Sequence, residues 1–560
     1  METVNIRNVR IGDVLKEYGY VNDLQLQQAL DYQKANKGKR LGNVLIEMGF
    51  ITEKQMLSAL AERLNLRTVE ISDLNVHVDA TQKIPQALAQ KYGMLAVDVQ
   101  NGMLVVATND PINFYGQEEI RQLTGMELEL LLCEREPLEQ AITYYYSEVA
   151  AHRAAVAANV SSADEVLEDL DADEGGDDTP IINLVNTLIR RAYAMNASDI
   201  HIEPFETNTI VRMRIDGTIT DYLTLKRGLH PSLITRIKIL SEMDIAEHRV
   251  PQDGHFRLAV EGTPVNIRVS VIPTVFGEKA VLRLLASNNA IDHRDHFGMG
   301  DNDYELLARM LKSPNGIVYL TGPTGSGKTT TLYMILEEMS KKNVNISTIE
   351  DPVEKNLPRI NQMQVNTVAG LTFEIGLRAL LRQDPDIIMV GETRDAETAE
   401  ISVRAAITGH QVFSTLHTND ATSTIVRLED MGLAPYMVAS SLVGVVAQRL
   451  MRKLCPACST TRKATAEDKL ILGQDVDTVP VAKGCSACSF TGYKGRMAIH
   501  EIFMVDANVR RLITERASSD EIKAYAMKEQ GMVLLQDAAA QKVREGLSTM
   551  EELMKIAYFV

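Results

Sequence analysis

The sequence has few of the features that mark nucleic-acid-binding or membrane proteins. Tryptophan is absent from its 560 residues, aromatic residues make up 5%, and 58 basic residues face 75 acidic ones, a formal net charge of −17. An acidic surface repels phosphate backbones and single-strand binding relies on aromatic stacking, so this composition disfavours a nucleic-acid binder. The longest uncharged run, residues 431–448, contains Gly, Pro, Ser and Gln, which predicts a buried helix rather than a membrane span.

Cysteine is scarce, and four of the five cysteines stand in two C-x-x-C pairs separated by 26 residues. The N-terminus lacks the basic-then-apolar layout of a signal peptide, so we expect a cytoplasmic protein in which these thiols bind metal rather than form disulfides. Such pairs can present four thiolates tetrahedrally to one Zn²⁺, with no position left open for catalysis. Reduced, metal-free thiols and a redox dithiol are the alternatives. The predicted zinc ligands are Cys455, Cys458, Cys485 and Cys488.

The N-terminal region contains a tandem repeat. Residues 10–33 and 40–63 align without a gap, and 9 of 24 positions are identical. Apolar residues recur at helical spacing in each copy, and Gly19 or Gly49 falls between the two helical stretches. Each copy is therefore predicted to form a helical hairpin.

The rest of the chain predicts an α/β multidomain protein. A turn at Asn101-Gly102 indicates a β-hairpin, and nine acidic residues with no basic one in 161–178 indicate a flexible linker. Short apolar strands alternate with helices in the C-terminal half, which is typical of a parallel sheet. The predicted units are a helical-repeat subdomain (1–68), an α/β subdomain (69–150), an acidic linker (151–178), a second α/β domain (179–290), a parallel-sheet core (291–452), a cysteine insertion (453–500) and a helical tail (501–560).

A phosphate-binding loop is predicted between a strand and a helix in residues 316–336. It fits G-x-x-x-x-G-K-T, in which glycines let backbone N–H groups face phosphate oxygens at a helix N-terminus. Lys328 would reach the β- and γ-phosphates of ATP, and the Thr329 hydroxyl would bind Mg²⁺. A chance glycine-rich turn is the alternative. The loop residues are Gly322, Pro323, Thr324, Gly325, Ser326, Gly327, Lys328, Thr329 and Thr330.

Two carboxylates and two histidines follow apolar strands beyond this loop. Glu392 follows a strand in which Gly391 replaces the acid usual before it, and we expect Glu392 to orient or deprotonate water. Glu350, in ISTIEDPVE, is expected to support the metal or its hydration shell. His410 and His417 bracket the strand QVFSTL as candidate catalytic residues. Exposed acids and packed core histidines are the alternatives.

Four segments, taken in order, resemble the four motifs of the ATPases of type II secretion and type IV pilus systems. They are GPTGSGKT, STIEDPVE, DPDIIMVGETRD and TGHQVFSTLHTND. SDIHIEPFE and VPQDGHF extend the resemblance over about 180–560. It implies a hexameric ring with RecA-like ATPase domains, each closed over nucleotide by a smaller PAS-like domain. It further implies that Arg212 and Arg227 of the smaller domain contact phosphate, although both could simply be solvated. The cysteine insertion is usual in the family's assembly ATPases and points to pilus extension.

The repeat resembles the tandem cyclic di-GMP motif of the mannose-sensitive haemagglutinin (MSHA) pilus ATPases. Arginines of such a motif stack on guanine or pair with phosphate, glycine allows close approach of the ligand, and glutamine bonds a base edge. The second copy departs from the motif at Met56 and Arg63, and a plain docking module for the membrane platform is the alternative. The residues implied are Arg10, Ile11, Gly12, Gln33, Arg40, Leu41 and Gly42.

These patterns together predict a hexameric ATPase that powers type IV pilus extension from the cytoplasmic face of the inner membrane. It would use ATP, Mg²⁺ and a structural Zn²⁺, respond to cyclic di-GMP, and reach the membrane only through an inner-membrane platform protein. The alternatives are a type II secretion ATPase without second-messenger control and, more remotely, a nucleic-acid translocase. Nine of the negative charges lie in 161–178, so the net charge argues less strongly against nucleic acid than it first does, and the order of the motifs is what excludes the translocase.

Overall fold

The computed structural model describes residues 11–35, 41–160, 180–260, 262–285 and 299–557. Each repeat folds as a helical hairpin, as predicted, and Gly19 and Gly49 take the same left-handed φ of +71° just after a helix. Apolar side chains of both hairpins pack into one small core. The helices are α1 (Ile11–Glu17), α2 (Asp23–Ala35), α3 (Leu41–Glu47) and α4 (Glu53–Leu64).

The next region is a four-stranded sheet, ordered β1-β4-β3-β2, covered by helices. The predicted hairpin is confirmed, with Asn101 and Gly102 at φ +52° and +78° in its turn. The elements are β1 (Arg67–Thr68), α5 (Val78–Thr81), α6 (Gln86–Tyr92), β2 (Met94–Gln100), β3 (Met103–Thr108), α7 (Phe114–Thr124), β4 (Leu128–Leu132) and α8 (Arg135–Val160).

Two predicted boundaries in this region are wrong. The first unit was expected to end at residue 68, but β1 pairs with β4 and so belongs to the sheet. The linker was expected to begin at residue 151, but α8 continues to Val160 because its alanine-rich end favours helix. The acidic residues 161–178 lie outside the described part of the chain.

The second domain is a six-stranded antiparallel sheet, ordered β7-β6-β5-β10-β9-β8, that packs against two helices. Along its strands, more buried residues alternate with less buried ones, as a sheet with one covered face requires. The elements are α9 (Pro180–Ala194), β5 (Ala197–Pro204), β6 (Asn208–Ile215), β7 (Thr218–Lys226), α10 (His230–Leu240), β8 (Gln252–Val260), β9 (Thr263–Thr274) and β10 (Gly277–Leu285).

The C-terminal half is built on a seven-stranded sheet, ordered β13-β12-β14-β15-β11-β16-β19, in which the β16–β19 pair alone is antiparallel. The central strands are buried along their whole length because helices cover both faces. The elements are α11 (Asp301–Leu311), β11 (Gly316–Thr321), α12 (Lys328–Met339), β12 (Ile346–Glu350), β13 (Asn361–Gln364), α13 (Phe373–Leu380), β14 (Ile387–Val390), α14 (Ala396–Ile407), β15 (Gln411–Leu416), α15 (Ser423–Asp430), α16 (Pro435–Ser441), β16 (Leu442–Leu454), β17 (Thr460–Lys463), α17 (Ala466–Leu472), β18 (Thr478–Val481), β19 (Tyr493–Met504), α18 (Ala507–Thr514), α19 (Ser519–Gln530), α20 (Leu535–Arg544) and α21 (Met550–Ala557).

The uncharged run 431–448 is not the single buried helix that its composition predicts. It forms the short helix α16 and then enters β16, whose valine-rich sequence favours a strand. The cysteine insertion leaves the sheet at the end of β16 and returns at β19. The predicted boundaries at 452/453 and 500/501 are therefore wrong, because each falls inside one of these two paired strands. Among the described residues, no helix is long and apolar enough to cross a bilayer.

Candidate functional site

The predicted phosphate-binding loop joins β11 to α12 at the carboxyl edge of the sheet. Gly322, Gly325 and Gly327 have φ values of +146°, +80° and +86°, which disfavour any residue with a side chain. Lys328 Nζ lies over the loop and donates to the carbonyls of Gly322 at 2.7 Å and Pro323 at 3.0 Å. Ser326 Oγ is buried without a hydrogen-bond partner among the described residues. The loop therefore fits a polyphosphate, whose oxygens can accept from that hydroxyl and from the N-terminus of α12.

The electrostatics of the loop centre on Lys328. Burial and, to a smaller extent, the nearby Arg449 guanidinium lower the pKa of this ammonium to about 8, and Glu392 opposes both effects. A bound phosphate would add negative charge beside the ammonium and raise its pKa again. The lysine is thus charged and poised for an anionic ligand at neutral pH.

Two residues of β16 that were not predicted from the sequence, Gln448 and Arg449, lie against the phosphate-binding loop. Gln448 Nε2 donates to the Ser326 carbonyl at 2.8 Å, and its Oε1 accepts from Thr331 Oγ1 at 2.8 Å. A Cβ at Gly322 would come within 2.5 Å of the Gln448 carbonyl, so this glycine is needed for close packing as well as for its φ. Arg449, also buried, donates to the Asn419 carbonyl at 2.8 Å. Two adjacent polar residues in an apolar strand were the available signal.

Glu392 lies just beyond β14, at the same edge as the loop. The Gly391 N–H donates to Ile349 at 2.8 Å, and a Cβ at this glycine would lie 3.3 Å from the Glu350 Cα. The tight approach of β12 explains why glycine occupies the position. Glu392 pairs with Arg394 and lies 3.7 Å from His417 Nε2. The carboxylate is 16% exposed, which leaves it accessible to a water molecule.

Glu350 is held by protein donors on both carboxylate oxygens. Tyr333 donates to Oε2, while Thr348 and Gln362 donate to Oε1 at 2.6 and 3.0 Å. The residue is 2% exposed and ties α12 to the end of β12. Its predicted support of a metal hydration shell stays a prediction, and these contacts give it a positioning role.

The two histidines lie at opposite ends of β15. His417 follows the strand at the edge that carries the phosphate-binding loop, beside Glu392. His410 precedes it, where its carbonyl accepts from Gly316 and its Nδ1 lies 3.0 Å from the Ala405 carbonyl. A six-residue strand is about 20 Å long, so the structure places His417, and not His410, with the loop in this chain.

The predicted arginines of the second domain do not contact the phosphate-binding loop in the described chain. Arg212 pairs with Glu203 at 3.1 Å and with Asp221 at 2.8 Å. Arg227 is exposed and donates to the Glu206 carbonyl at 2.5 Å.

A different arginine of the second domain, Arg268 of β9, reaches the ATPase domain. It lies 3.4 Å from the Val353 carbonyl and 3.8 Å from Glu354. Both partners follow β12 by a few residues, so the second domain touches the ATPase domain beside the predicted site.

The four predicted zinc ligands come together at the end of β16. Their Sγ atoms all lie within 4.8 Å of one another, all four residues are buried, and none is in a disulfide. The Cys455–Cys485, Cys458–Cys488 and Cys485–Cys488 sulfur pairs are 3.9, 3.8 and 3.8 Å apart. A tetrahedron with Zn–S bonds of about 2.3 Å has edges of about 3.8 Å, so the cluster fits zinc.

In the described part of the repeats, Gly12 and Gly42 pack closely against the following helix of their own hairpin. A Cβ on Gly12 would lie 2.8 Å from Leu26, and one on Gly42 would lie 2.6 Å from Met56. The expected reason for these glycines, close approach of a ligand, is therefore incomplete, because each also lets two helices cross closely. Ile11 and Leu41 pack beside the repeat core, and Gln33 lies on α2. Arg10 and Arg40 fall outside the described residues.

The combination of features at this site defines a P-loop ATPase with a RecA-like core. These features are the glycine-rich loop with Lys328, the glutamate Glu392 at the end of a strand, and the parallel sheet that carries both. The family model described as Type II/IV secretion system protein matches residues 174–555, and the chain belongs to this family of ATP-hydrolysing secretion ATPases. A second model, described as MshEN domain, matches residues 64–152. The predicted family, fold class and ATPase activity are confirmed.

Relatives from two kinds of machinery match nearly the whole chain. The type II secretion system protein E of Pseudomonas aeruginosa is 40% identical over 501 residues, 88% of this chain and 99% of that protein. The type IV pilus assembly ATPase PilB of Myxococcus xanthus is 38% identical, covering 97% of this chain and 98% of its own. The Legionella pneumophila ATPase DotB shares the fold at 22% identity, with a TM-score of 0.51 over 70% of this chain and 98% of that chain.

Proposed function

We propose that this chain is a hexameric ATPase of the MSHA kind, which powers type IV pilus extension under the control of cyclic di-GMP. The observation that carries the proposal is the tandem arginine-glycine hairpin, residues 10–63, placed directly before the segment that matches the MshEN domain and joined to a secretion ATPase. It acts at the inner membrane through a platform protein and needs no nucleic acid.

In the proposed reaction, Lys328 and the loop N–H groups hold the ATP phosphates while the Thr329 hydroxyl binds Mg²⁺. Glu392 orients the attacking water, since it lies at the loop edge and remains accessible. His417, 3.7 Å from Glu392, helps to hold that carboxylate. Glu350 acts indirectly, because its three side-chain donors fix the end of β12 and the first half of α12.

Arg212 and Arg227 supply positive charge to the phosphates after the second domain moves or from a neighbouring subunit of the ring. Both are at least partly exposed and lie on one domain that touches the ATPase domain through Arg268. Charge that develops on a transferring phosphoryl group needs cationic partners beyond the loop lysine. Domain closure therefore couples hydrolysis to movement, which is the step that performs mechanical work.

Zinc in the four-cysteine cluster is proposed to be structural. All four ligand positions would be filled by thiolates, so the ion would hold the insertion in shape rather than act on substrate. The sulfur spacing supports this role.

Calorimetry of the full chain with cyclic di-GMP tests the regulatory part of the proposal. We expect saturable heat for the natural protein and none for the double variant Arg10→Ala, Arg40→Ala. The variant Arg135→Ala, which removes an exposed arginine at the start of α8, serves as the control and should bind normally. Absence of heat from folded natural protein would refute the sensor.

A type II secretion ATPase without second-messenger control is the second candidate, and the 40% identity to protein E of Pseudomonas aeruginosa favours it. The same calorimetry separates the two, because this candidate predicts no binding of cyclic di-GMP. A nucleic-acid translocase predicts that single strands stimulate turnover, which we do not expect from a chain with the ordered motifs of a secretion ATPase.

A further inference from the structure

The N-terminal domain contacts the ATPase domain at the cysteine insertion. Tyr144 and Tyr145 of α8 lie against Phe490, with ring centroids 5.6 and 6.4 Å apart. Asp73 of the same domain pairs with Lys483. Both partners in the insertion lie within two residues of a cysteine ligand, so the contact is centred on the turn that carries Cys485 and Cys488.

Phe490 is presented by a turn that the cysteines hold closed. Ser489 and Phe490 have φ values of +50° and +60°, a left-handed conformation that non-glycine residues seldom adopt. The Phe490 N–H donates to the Cys485 carbonyl at 2.8 Å, and Cys488 Sγ accepts from the Cys485 and Gly492 N–H groups. A metal bound by these sulfurs would stabilise the turn and so fix the position of the Phe490 ring.

Tyr144 also contacts the second domain on its other side. The Arg191 guanidinium of α9 lies 4.5 Å from the Tyr144 ring centroid, and Arg191 pairs with Glu148 of α8 at 2.5 Å. Arg191 is 5% exposed, so this contact is buried. One tyrosine side chain therefore touches both the cysteine insertion and the domain that is proposed to close over nucleotide.

We propose that the turn Cys485–Phe490 is the docking site of the regulatory domain, and that Tyr144 couples the position of this domain to that of the second domain. The metal dependence of the docking rests on the proposed zinc site. A docked regulatory domain holds α9, and with it the second domain, against the ATPase domain; undocking frees the second domain to move.

The repeats are placed to influence this docking. A cavity of about 410 Å³ separates the regulatory domain from the insertion. One wall includes Lys54 and Leu57 of the second repeat, and the other includes residues 485–487. Helix α4 thus faces the docking turn, so a rearrangement of the repeats would be transmitted to the contact.

Hydrogen exchange of the full chain tests the docking. Phe490→Ala removes the ring, and exchange in residues 135–150 should accelerate by about threefold to tenfold, the loss expected for aromatic contacts. Phe114→Ala is a matched control, because Phe114 and Phe490 are both 46% exposed and Phe114 lies on α7, away from the insertion. Unchanged exchange in Phe490→Ala, or equal acceleration in both variants, would overturn the docking site.

Exchanging the charges of the Asp73–Lys483 ion pair gives a second test of the docking, whose result does not depend on whether any single variant folds correctly. Asp73→Lys should accelerate the same segment, and Asp73→Lys combined with Lys483→Asp should restore it. Failure of the pair to restore protection would contradict the proposed docking surface.

Metal analysis and chelation separate this proposal from the zinc site itself. Chelation of the zinc-loaded natural protein should reproduce the exchange of Phe490→Ala and add little to that variant. Zinc-loaded protein whose exchange survives chelation would refute metal-dependent docking. Purified protein without zinc would instead refute the zinc site, while the Phe490 variant would still decide the docking.

Discussion

Replacing Gln448 by leucine should weaken ATP binding without touching any residue that contacts the nucleotide. The side chain is 1% exposed, and its two hydrogen bonds satisfy the Ser326 carbonyl and the Thr331 hydroxyl. A buried polar group that loses its partner costs about 1–3 kcal/mol. The Thr331 hydroxyl can turn to the Gly327 carbonyl one helical turn earlier, which recovers part of its bond. We therefore expect the loop to lose about 2–4 kcal/mol.

In Gln448→Leu, part of the binding free energy of ATP must then be used to restore the geometry of the loop, which weakens the observed binding. A cost of about 1.4 kcal/mol raises KM tenfold, so Gln448→Leu should raise the KM for ATP by at least that factor. The value of kcat should fall less, because Gln448 makes no hydrogen bond to Glu392 or His417 in the described part of the chain. Steady-state hydrolysis and thermal unfolding measure both effects.

Gln411→Leu is the control, since Gln411 is also a buried strand glutamine, 7% exposed, but lies at the opposite end of the sheet from the loop. A Gln448→Leu variant with an unchanged melting temperature and a KM within twofold of the natural value would refute the supporting role. A double-mutant cycle with Thr331→Val should show a coupling of about 1 kcal/mol for the shared bond.

Three further predictions concern the proposed chemistry. Glu392→Gln should lower kcat at least about a hundredfold while ATP affinity changes less than about threefold, and near-natural turnover would remove Glu392 from the mechanism. Arg227→Ala should abolish hydrolysis with binding largely intact, and its neighbour variant Lys226→Ala should turn over normally. Because burial lowers the Lys328 pKa to about 8 and phosphate raises it, ATP binding above pH 8 requires proton uptake. The Kd should stay flat below pH 8 and rise by up to about tenfold per pH unit above it; a Kd constant from pH 7 to 9.5 would contradict this.

The features predicted best are those encoded by neighbouring residues. The helical hairpins follow from apolar spacing and a glycine, and the turn at Asn101-Gly102 follows from the left-handed φ that these residues tolerate. The glycine loop at 322–329 is recognisable because its function demands positive φ at fixed offsets. The cysteine pairs are similar, since each pair needs only a local turn to aim two sulfurs together.

The features missed depend on contacts between distant segments. Gln448 lies more than a hundred residues from Ser326 in sequence, and nothing local indicates that β16 passes beneath the loop. Two of the three side chains that donate to Glu350, Tyr333 and Gln362, likewise lie in other elements, so the sequence does not reveal how fully the Glu350 carboxylate is hydrogen-bonded. The separation of His410 from His417 follows from strand geometry, which places the two ends of β15 at opposite edges of the sheet.

Strand β16 carries Gln448 beneath the phosphate-binding loop and ends one residue before Cys455. The intervening stretch spans about 20 Å and is paired with β19 along that length, apart from a shift of register at Lys453. If β16 slipped by one residue against β19, every side chain of β16 would turn to the other face of the sheet. The strand therefore cannot transmit a change by sliding along its own axis. The strand can transmit only a tilt or a twist that β16 and β19 undergo together. A change in the angle of β16 at the four cysteines is therefore accompanied by a change in its angle beside the phosphate-binding loop.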